Sequence, residues 1–158
     1  MPELPEVETV KRTLAPRLLG RRVTRAELCR RAVLGMNGGA TGVERALLKG
    51  EVVVRLARRG KQLAIVGESG RTLVVHLGMT GHLLADAWGG AHEHARWKMD
   101  DGTQAVFRDA RRFGGLWAYA RFEEMESERW SGLGPDALEI DGDELRMRVR
   151  GTTRAIKA

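Results

Sequence analysis

The sequence predicts a mainly antiparallel β domain with one helix at its start and a second helix inserted early. Three observations carry that expectation. Apolar residues first recur at helical spacing: Val7, Val10, Leu14 and Leu18 fall three or four apart and share one face. From Arg22 onward the period drops to two, or the runs become short and apolar, as strands require. The turn signals Glu68-Ser69-Gly70 and Asp100-Asp101-Gly102 then lie close enough between neighbouring runs for antiparallel hairpins.

In chain order, the first helix covers Pro5 to Leu19. Pro5 suits its first turn and Gly20 its stop, while Pro16 is expected to kink or shorten the last turn. A second helix is expected over Thr41–Lys49, where Thr41 and Glu44 have capping-box spacing and Gly50 follows the end. Strands are expected at Arg22–Leu28, Val52–Arg58, Gln62–Val66, Thr72–Leu77, His94–Met99, Gln104–Arg108 and Leu116–Tyr119. Beyond Tyr119 the character changes. Phe122–Trp130 reads as a short acidic helix, Ser131-Gly132-Leu133-Gly134-Pro135 as a linker loop, and Asp141–Arg150 as a polar helix with little to bury. A domain over residues 1–133 is expected, with residues 134–158 as a linker and the start of a second, helical domain cut off near its beginning.

Composition bounds the function. A chain of 158 residues with 42% hydrophobic and 30% charged residues has a soluble globular balance rather than a disordered one. The 27 Lys and Arg against 21 Asp and Glu leave a formal +6, which favours a polyanionic partner such as nucleic acid. The single cysteine, Cys29, excludes an internal disulfide and any multi-cysteine zinc site in this chain. No apolar run reaches the roughly 20 residues that span a bilayer. The N-terminus carries acid where a signal peptide carries base, so a cytoplasmic location is expected.

The opening Met1-Pro2-Glu3-Leu4-Pro5-Glu6 supports two readings. In one, acid simply complements the dipole of a helix start. In the other, removal of Met1 leaves Pro2 as a free secondary amine. An α-amino group titrates near pH ~8, low enough for a neutral, nucleophilic fraction. Such an amine adds to an aldehyde and collapses to an iminium ion, and the neighbouring Glu3 can move the protons that step needs.

Other stretches divide in the same way. Gly60 in Arg58-Arg59-Gly60-Lys61-Gln62 permits a tight turn that aims Lys61 at a phosphate or a substrate oxygen, or else forms a solvated basic turn. Met79, flanked by Gly78 and Gly81, is a wedge for a base stack or an ordinary gap-filler. His76 is a phosphate contact or a satisfied strand residue. Arg111-Arg112-Phe113 before a glycine pair suits base edges, phosphates and stacking, or a charged hairpin. His92-Glu93-His94 offers two alternating metal ligands without convincing further ones, so no metal site is expected.

Taken together, Pro2-Glu3-Leu4-Pro5-Glu6-Val7-Glu8-Thr9, Arg59-Gly60-Lys61, His76-Leu77-Gly78-Met79-Thr80-Gly81 and Arg111-Arg112-Phe113-Gly114 fall in an order and spacing that resembles one family. That family is the bacterial formamidopyrimidine-DNA glycosylases of the Fpg/Nei superfamily, and the resemblance covers essentially the whole chain. It implies a two-layered antiparallel β-sandwich with flanking helices, followed by a helical domain bearing a helix–two-turn–helix motif and a zinc finger. The zinc ligands would lie beyond residue 158, so no cofactor is expected in this chain.

The resemblance also implies roles. Pro2 is the nucleophile on the sugar C1′, Glu3 the acid/base and Glu6 a supporting carboxylate. Lys61 contacts the lesion or its phosphate. His76 and Arg112 contact phosphates, while Met79, Arg111 and Phe113 fill the gap left by a flipped lesion, with Arg111 facing the orphaned cytosine. Lys157 matches a DNA-contacting lysine. Ala110 stands where the family usually has proline, which predicts a less rigid turn.

The expected activity is a base-excision DNA glycosylase/AP lyase on 8-oxoguanine and formamidopyrimidines, with damaged double-stranded DNA as partner, no membrane and a monomeric state. For this chain weak DNA affinity and little turnover are expected. The alternatives are a relative preferring oxidised pyrimidines, and a noncatalytic DNA-binding β-module. Met79, Arg111 and Phe113 argue against the first, and Pro2-Glu3 against the second.

Overall fold

A computed structural model describes residues 2–36, 42–85 and 88–152. The chain opens on helix α1 (Leu4–Leu18), then strands β1 (Val23–Leu28) and β2 (Leu34–Met36) and the short helix α2 (Val43–Ala46). Strands β3 (Val53–Arg59), β4 (Gln62–Gly67), β5 (Thr72–His76), β6 (Gly81–Leu84), β7 (Glu93–Met99), β8 (Gln104–Asp109) and β9 (Gly115–Tyr119) follow. Helix α3 (Phe122–Met125) runs on through a wider π turn at Glu126–Trp130, and α4 (Gly142–Val149) comes last.

The strands form two layers, a four-stranded sheet in the order β1-β7-β8-β6 and a five-stranded sheet in the order β2-β9-β5-β4-β3. This is the expected mainly β, two-layered architecture with flanking helices. It departs from a wholly antiparallel sandwich at one edge, where β2 runs parallel to β9. The main core lies between the sheets and under α1, and includes Val7, Leu14, Leu18, Leu63, Leu73, Val75, Leu83, Trp97 and Phe107. A second cluster on the other face of the five-stranded sheet packs Ala64, Val66, Val74 and Tyr119 against Phe122, Met125 and Trp130. Strands β4 and β5 are therefore buried on both faces, which explains their unbroken apolar runs.

All seven predicted strands form. The two that the sequence does not predict, β2 and β6, have only three and four residues, too few for a period to register. Helix α1 continues through Pro16 to Leu18, and the Leu19 N–H still reaches the Ala15 carbonyl at 3.0 Å, so the proline is absorbed within the last turn. The second helix is shorter than expected. It starts at Gly42 without a side-chain cap and stops where Leu48 turns to φ +65°, burying Leu47 and Leu48. Thr41, its expected cap, lies outside the described residues. Helix α4 is capped by Asp141, whose carboxylate accepts the Asp143 and Glu144 N–H groups, and it buries none of its residues. His94 is a buried strand residue whose Nε2 lies 2.7 Å from the Asp109 carbonyl oxygen, while its buried Nδ1 has no hydrogen-bond partner among the described residues. Among the described residues, no group of three His, Cys, Asp or Glu is placed to hold a metal ion.

Candidate active site

Helix α1 presents its N-terminus to one corner of the sandwich. Glu3 occupies the N-cap position, and the Glu6 carboxylate accepts the Glu3 backbone N–H at 3.0 Å, fixing the first turn. Pro2, half-buried, precedes that cap. Opposite it stands the β3–β4 hairpin, in which Arg59 pairs with Gln62 and leaves Gly60-Lys61 as the turn. Gly60 takes φ +54°, a conformation that side chains other than glycine's disfavour. The turn carries Lys61 to Glu3, with Nζ 2.7 Å from Oε2. At 43% and 49% exposure this pair adds little stability, so its significance is placement.

Beneath the corner lies a charged knot that no sequence motif marks. The Arg58 side chain is only 4% exposed and donates from Nε to Glu8 on α1 at 2.7 Å. Its two terminal nitrogens grip Asp136 at 2.7 and 2.9 Å, and one of them also reaches the Gly60 carbonyl at 3.2 Å. The hydrogen bond from Arg58 holds the Asp136 carboxyl at about 2, against the penalty of burial. The same guanidinium holds Glu8 below its ordinary value, and the two carboxylates together push Arg58 upward. Arg58 and Asp136 are 78 residues apart, so no local pattern couples them.

The second half of the site is a pair of loops. One follows β5 through Leu77 to Thr80, and the other runs from Asp109 to Gly114. They touch backbone to backbone: a Cβ on Gly78, which has φ +63°, would fall 2.4 Å from the Phe113 carbonyl carbon. Asp109, 1% exposed, ties them together. Its carboxylate accepts the Thr80 hydroxyl, the Arg111 N–H at 3.2 Å and the Gly114 N–H at 2.7 Å. Burial raises its pKa, yet these bonds outweigh burial and hold it below the usual range. The turn, with Ala110 at its start, thus takes its shape from the Asp109 side chain. Met79 and Phe113 project from the loops, 41% and 53% exposed, and the Arg111 guanidinium stacks 4.8 Å from the Phe113 ring centre. Arg112, also exposed, takes φ +61°.

His76 sits between the halves, paired with Gln62 across β4–β5 and with Gly115 across β5–β9. Burial, with Arg129 and Lys61 nearby, lowers its pKa, and its Nδ1 accepts the Gly78 N–H at 3.3 Å. It is therefore a neutral imidazole at neutral pH, with its proton on Nε2. The structure brings Pro2, Glu3, Glu6 and Lys61 into one corner and sets Met79, Arg111, Arg112 and Phe113 on the adjoining loops. Lys157 lies outside the described residues.

Fold and site together define a β-sandwich whose first helix meets a hairpin lysine at its N-cap beside a pair of loops, one of them basic. The family model described as the formamidopyrimidine-DNA glycosylase N-terminal domain matches residues 1–116, and the chain belongs to that family. A formamidopyrimidine-DNA glycosylase of Solibacter usitatus (strain Ellin6076) is 39% identical over 158 residues, covering all of this chain and 57% of the relative. Among solved structures, the MutM (Fpg) protein of Thermus thermophilus superposes with a TM-score of 0.69 at 35% identity, covering 85% of this chain and 46% of that one. The Lactococcus lactis Fpg mutant T221P, in complex with DNA containing Fapy-dG, gives a TM-score of 0.64 at 32% identity, over 75% of this chain and 43% of that one. The chain thus spans little more than half the length of the relatives it matches.

Proposed function

We propose that this chain carries the catalytic half of a DNA glycosylase/AP lyase acting on oxidised purines such as 8-oxoguanine and formamidopyrimidines. The observation that carries the reading is the Lys61–Glu3 contact of 2.7 Å at the residue next to Pro2, a corner that DNA binding alone would not require. Once Met1 is removed, the Pro2 nitrogen attacks C1′ of a flipped nucleotide, and the bond from C1′ to the base breaks, the base leaving with its electron pair. Glu3 takes the proton that the Pro2 nitrogen gives up and delivers it to the ring oxygen as the C1′–O4′ bond breaks and an iminium ion forms. Loss of a C2′ proton then expels the 3′ phosphate, and loss of a C4′ proton expels the 5′ phosphate, before water hydrolyses the iminium and returns the amine. Glu6 keeps the helix end in place, and Lys61 contacts the lesion or its phosphate.

His76 and Arg112 take neighbouring phosphates, His76 as a neutral N–H donor. Met79, Arg111 and Phe113 occupy the vacated stack, where a wedge offsets the cost of unstacking, with Arg111 toward the orphaned cytosine. Lys157 would add a further DNA contact. Residues 1–133 form the catalytic domain in this reading, and residues 134–158 lead into a helical one. The family's zinc does not fit the residues present, which include one cysteine, so no step is assigned to it. No described helix is long and apolar enough to cross a membrane.

Borohydride trapping on duplexes containing 8-oxoguanine, thymine glycol or an abasic site tests the proposal. The expected result is a covalent adduct, preferring 8-oxoguanine to thymine glycol, that disappears when the Pro2 amine is blocked. An adduct that survives blocking, or none on any duplex, would sink the assignment.

A further inference from the structure

We infer that Arg58 and Asp136 are positioning residues that set the distance between Lys61 and Pro2, so that residues 134–140 belong to the scaffold of the active site. The inference rests on the proposed function for its chemistry but on the buried knot for its geometry. A buried ion pair is a poor device for stability alone, because desolvation cancels much of its attraction and apolar residues often serve as well. Its use lies in direction. The planar guanidinium of Arg58 points Nε at Glu8, on the helix that mounts Pro2, and points its terminal nitrogens at Asp136.

Both backbone polar groups of Gly60 are engaged by the same pair. The Gly60 carbonyl accepts from Arg58 at 3.2 Å, and its N–H faces the Asp136 carboxylate at 3.4 Å. The residue that precedes Lys61 is therefore bracketed from both sides. The Glu3–Lys61 pair, nearly half exposed, is too weak to hold that turn by itself.

Asp136 is in turn held by its own segment. Its carboxylate accepts the Leu138 N–H at 3.0 Å, and its carbonyl accepts the Glu139 and Ile140 N–H groups at 3.0 and 2.9 Å. Arg59 adds a second tie to the Gly134 carbonyl at 2.9 Å. Any displacement of residues 134–140 thus pulls on the Lys61 turn and on α1 at once, through one guanidinium. A linker that would otherwise only join two parts of a protein becomes a lever on the spacing of nucleophile and lysine.

The test compares Asp136→Asn, Asp136→Glu and Arg58→Lys with Met125→Ala, a core truncation in the second apolar cluster that removes no hydrogen-bond partner of Arg58, Asp136 or Gly60. Single-turnover adduct formation on abasic-site DNA with cyanoborohydride is read beside the Kd for the same duplex and the Tm. Misplacement of reacting groups by about 1 Å costs on the order of 10²-fold in rate. Asp136→Asn and Arg58→Lys are therefore expected to slow adduct formation about 10- to 100-fold with Kd little changed. Asp136→Glu should recover most of the rate, and Met125→Ala should keep the rate despite a lower Tm. Equal rates for wild type and Asp136→Asn would overturn the inference.

Amide hydrogen exchange at Gly60 and Lys61 gives a reading that does not depend on activity. Exchange that accelerates at least about tenfold in Asp136→Asn but not in Met125→Ala supports the positioning role even if wild type forms no adduct. Unchanged exchange overturns it. A wild type without adduct would instead count against the proposed function.

Discussion

Two buried aspartates each hold one half of the site, and they do so with opposite partners. Asp136 is neutralised by a guanidinium and joins segments far apart in sequence, whereas Asp109 is solvated by backbone amides and one hydroxyl and shapes only the loops beside it. A carboxylate bound to a cation can fix a distance between distant elements, because both ends of the bond are anchored in separate pieces of the fold. A carboxylate bound to amides fixes the path of a loop. The corner proposed to perform chemistry uses the first device, and the loops that would meet the DNA stack use the second.

The largest expected effect comes from removing each aspartate in turn. Asp136→Ala strips the buried Arg58 of its two-pronged partner and leaves Glu8 as its remaining carboxylate, which costs up to about 3–5 kcal/mol. Asp109→Ala leaves the Gly114 and Arg111 amides and the Thr80 hydroxyl without their acceptor, but no charge is stranded, so the loss is about 1–3 kcal/mol. Urea unfolding of the two variants checks the order. A larger loss for Asp109→Ala would break the contrast between the devices.

Acid should weaken both next. The Asp136 carboxyl sits at about 2 in the fold, below the ordinary 3.8. A depressed carboxylate contributes stability that is fully present above its unfolded pKa and is lost as pH falls through the folded one. The window is therefore from pH ~4 down to ~2, and the contribution is about 2 kcal/mol. Arg58 remains charged throughout. Asp136→Asn, measured by unfolding free energy against pH, is expected to flatten the fall in that window. Asp109→Asn is expected to flatten it too, since Asp109 is shifted in the same direction. Parallel acid limbs for wild type and Asp136→Asn would show that the knot does not titrate as described.

The same two devices explain what can be read from the sequence. Strand β7 alternates from Ala95 to Met99, β1 and β3 are each interrupted by a bulge, and α1 has a clean apolar face, so the mainly β class is legible from period while its two layers follow only from the family resemblance. The Lys61 turn is legible because Gly60 announces it, Met79 because a large apolar residue between glycines is out of place on a loop, and Phe113 because an aromatic follows two arginines before a glycine pair. Asp109 stands in plain view beside its loop, but its acceptor role is not visible, since loop amides leave no mark in residue identity. Arg58 is hidden for another reason. In Arg58-Arg59-Gly60-Lys61 it reads as one more solvated base, and its partner belongs to a stretch that looks like linker. Burial on both faces likewise erases the alternation of β4 and β5, whose second cover is the Phe122–Trp130 segment, acidic in sequence yet burying Phe122, Met125 and Trp130.

The smallest effect on the fold should come from Met79 and Phe113, the residues proposed to enter the base stack. Met79 and Phe113 already face solvent, and their loops are held from behind by Asp109 rather than by their own side chains. Truncating either to alanine creates no cavity and strands no polar group, so stability should stay within about 0.5 kcal/mol of wild type. Phe113→Ala also frees the Arg111 guanidinium from its ring, a stacking worth about 0.5–1 kcal/mol at an exposed site, which water largely replaces. Binding should respond differently, because a wedge that fills a vacated base stack offsets unstacking worth a few kcal/mol per step. Affinity for an abasic-site duplex is therefore expected to fall more than affinity for the undamaged duplex in both variants, with Tm unmoved. An equal fall on both duplexes would mean that the loops touch DNA without entering the stack, and an appreciable drop in Tm would mean that these side chains hold the loops after all.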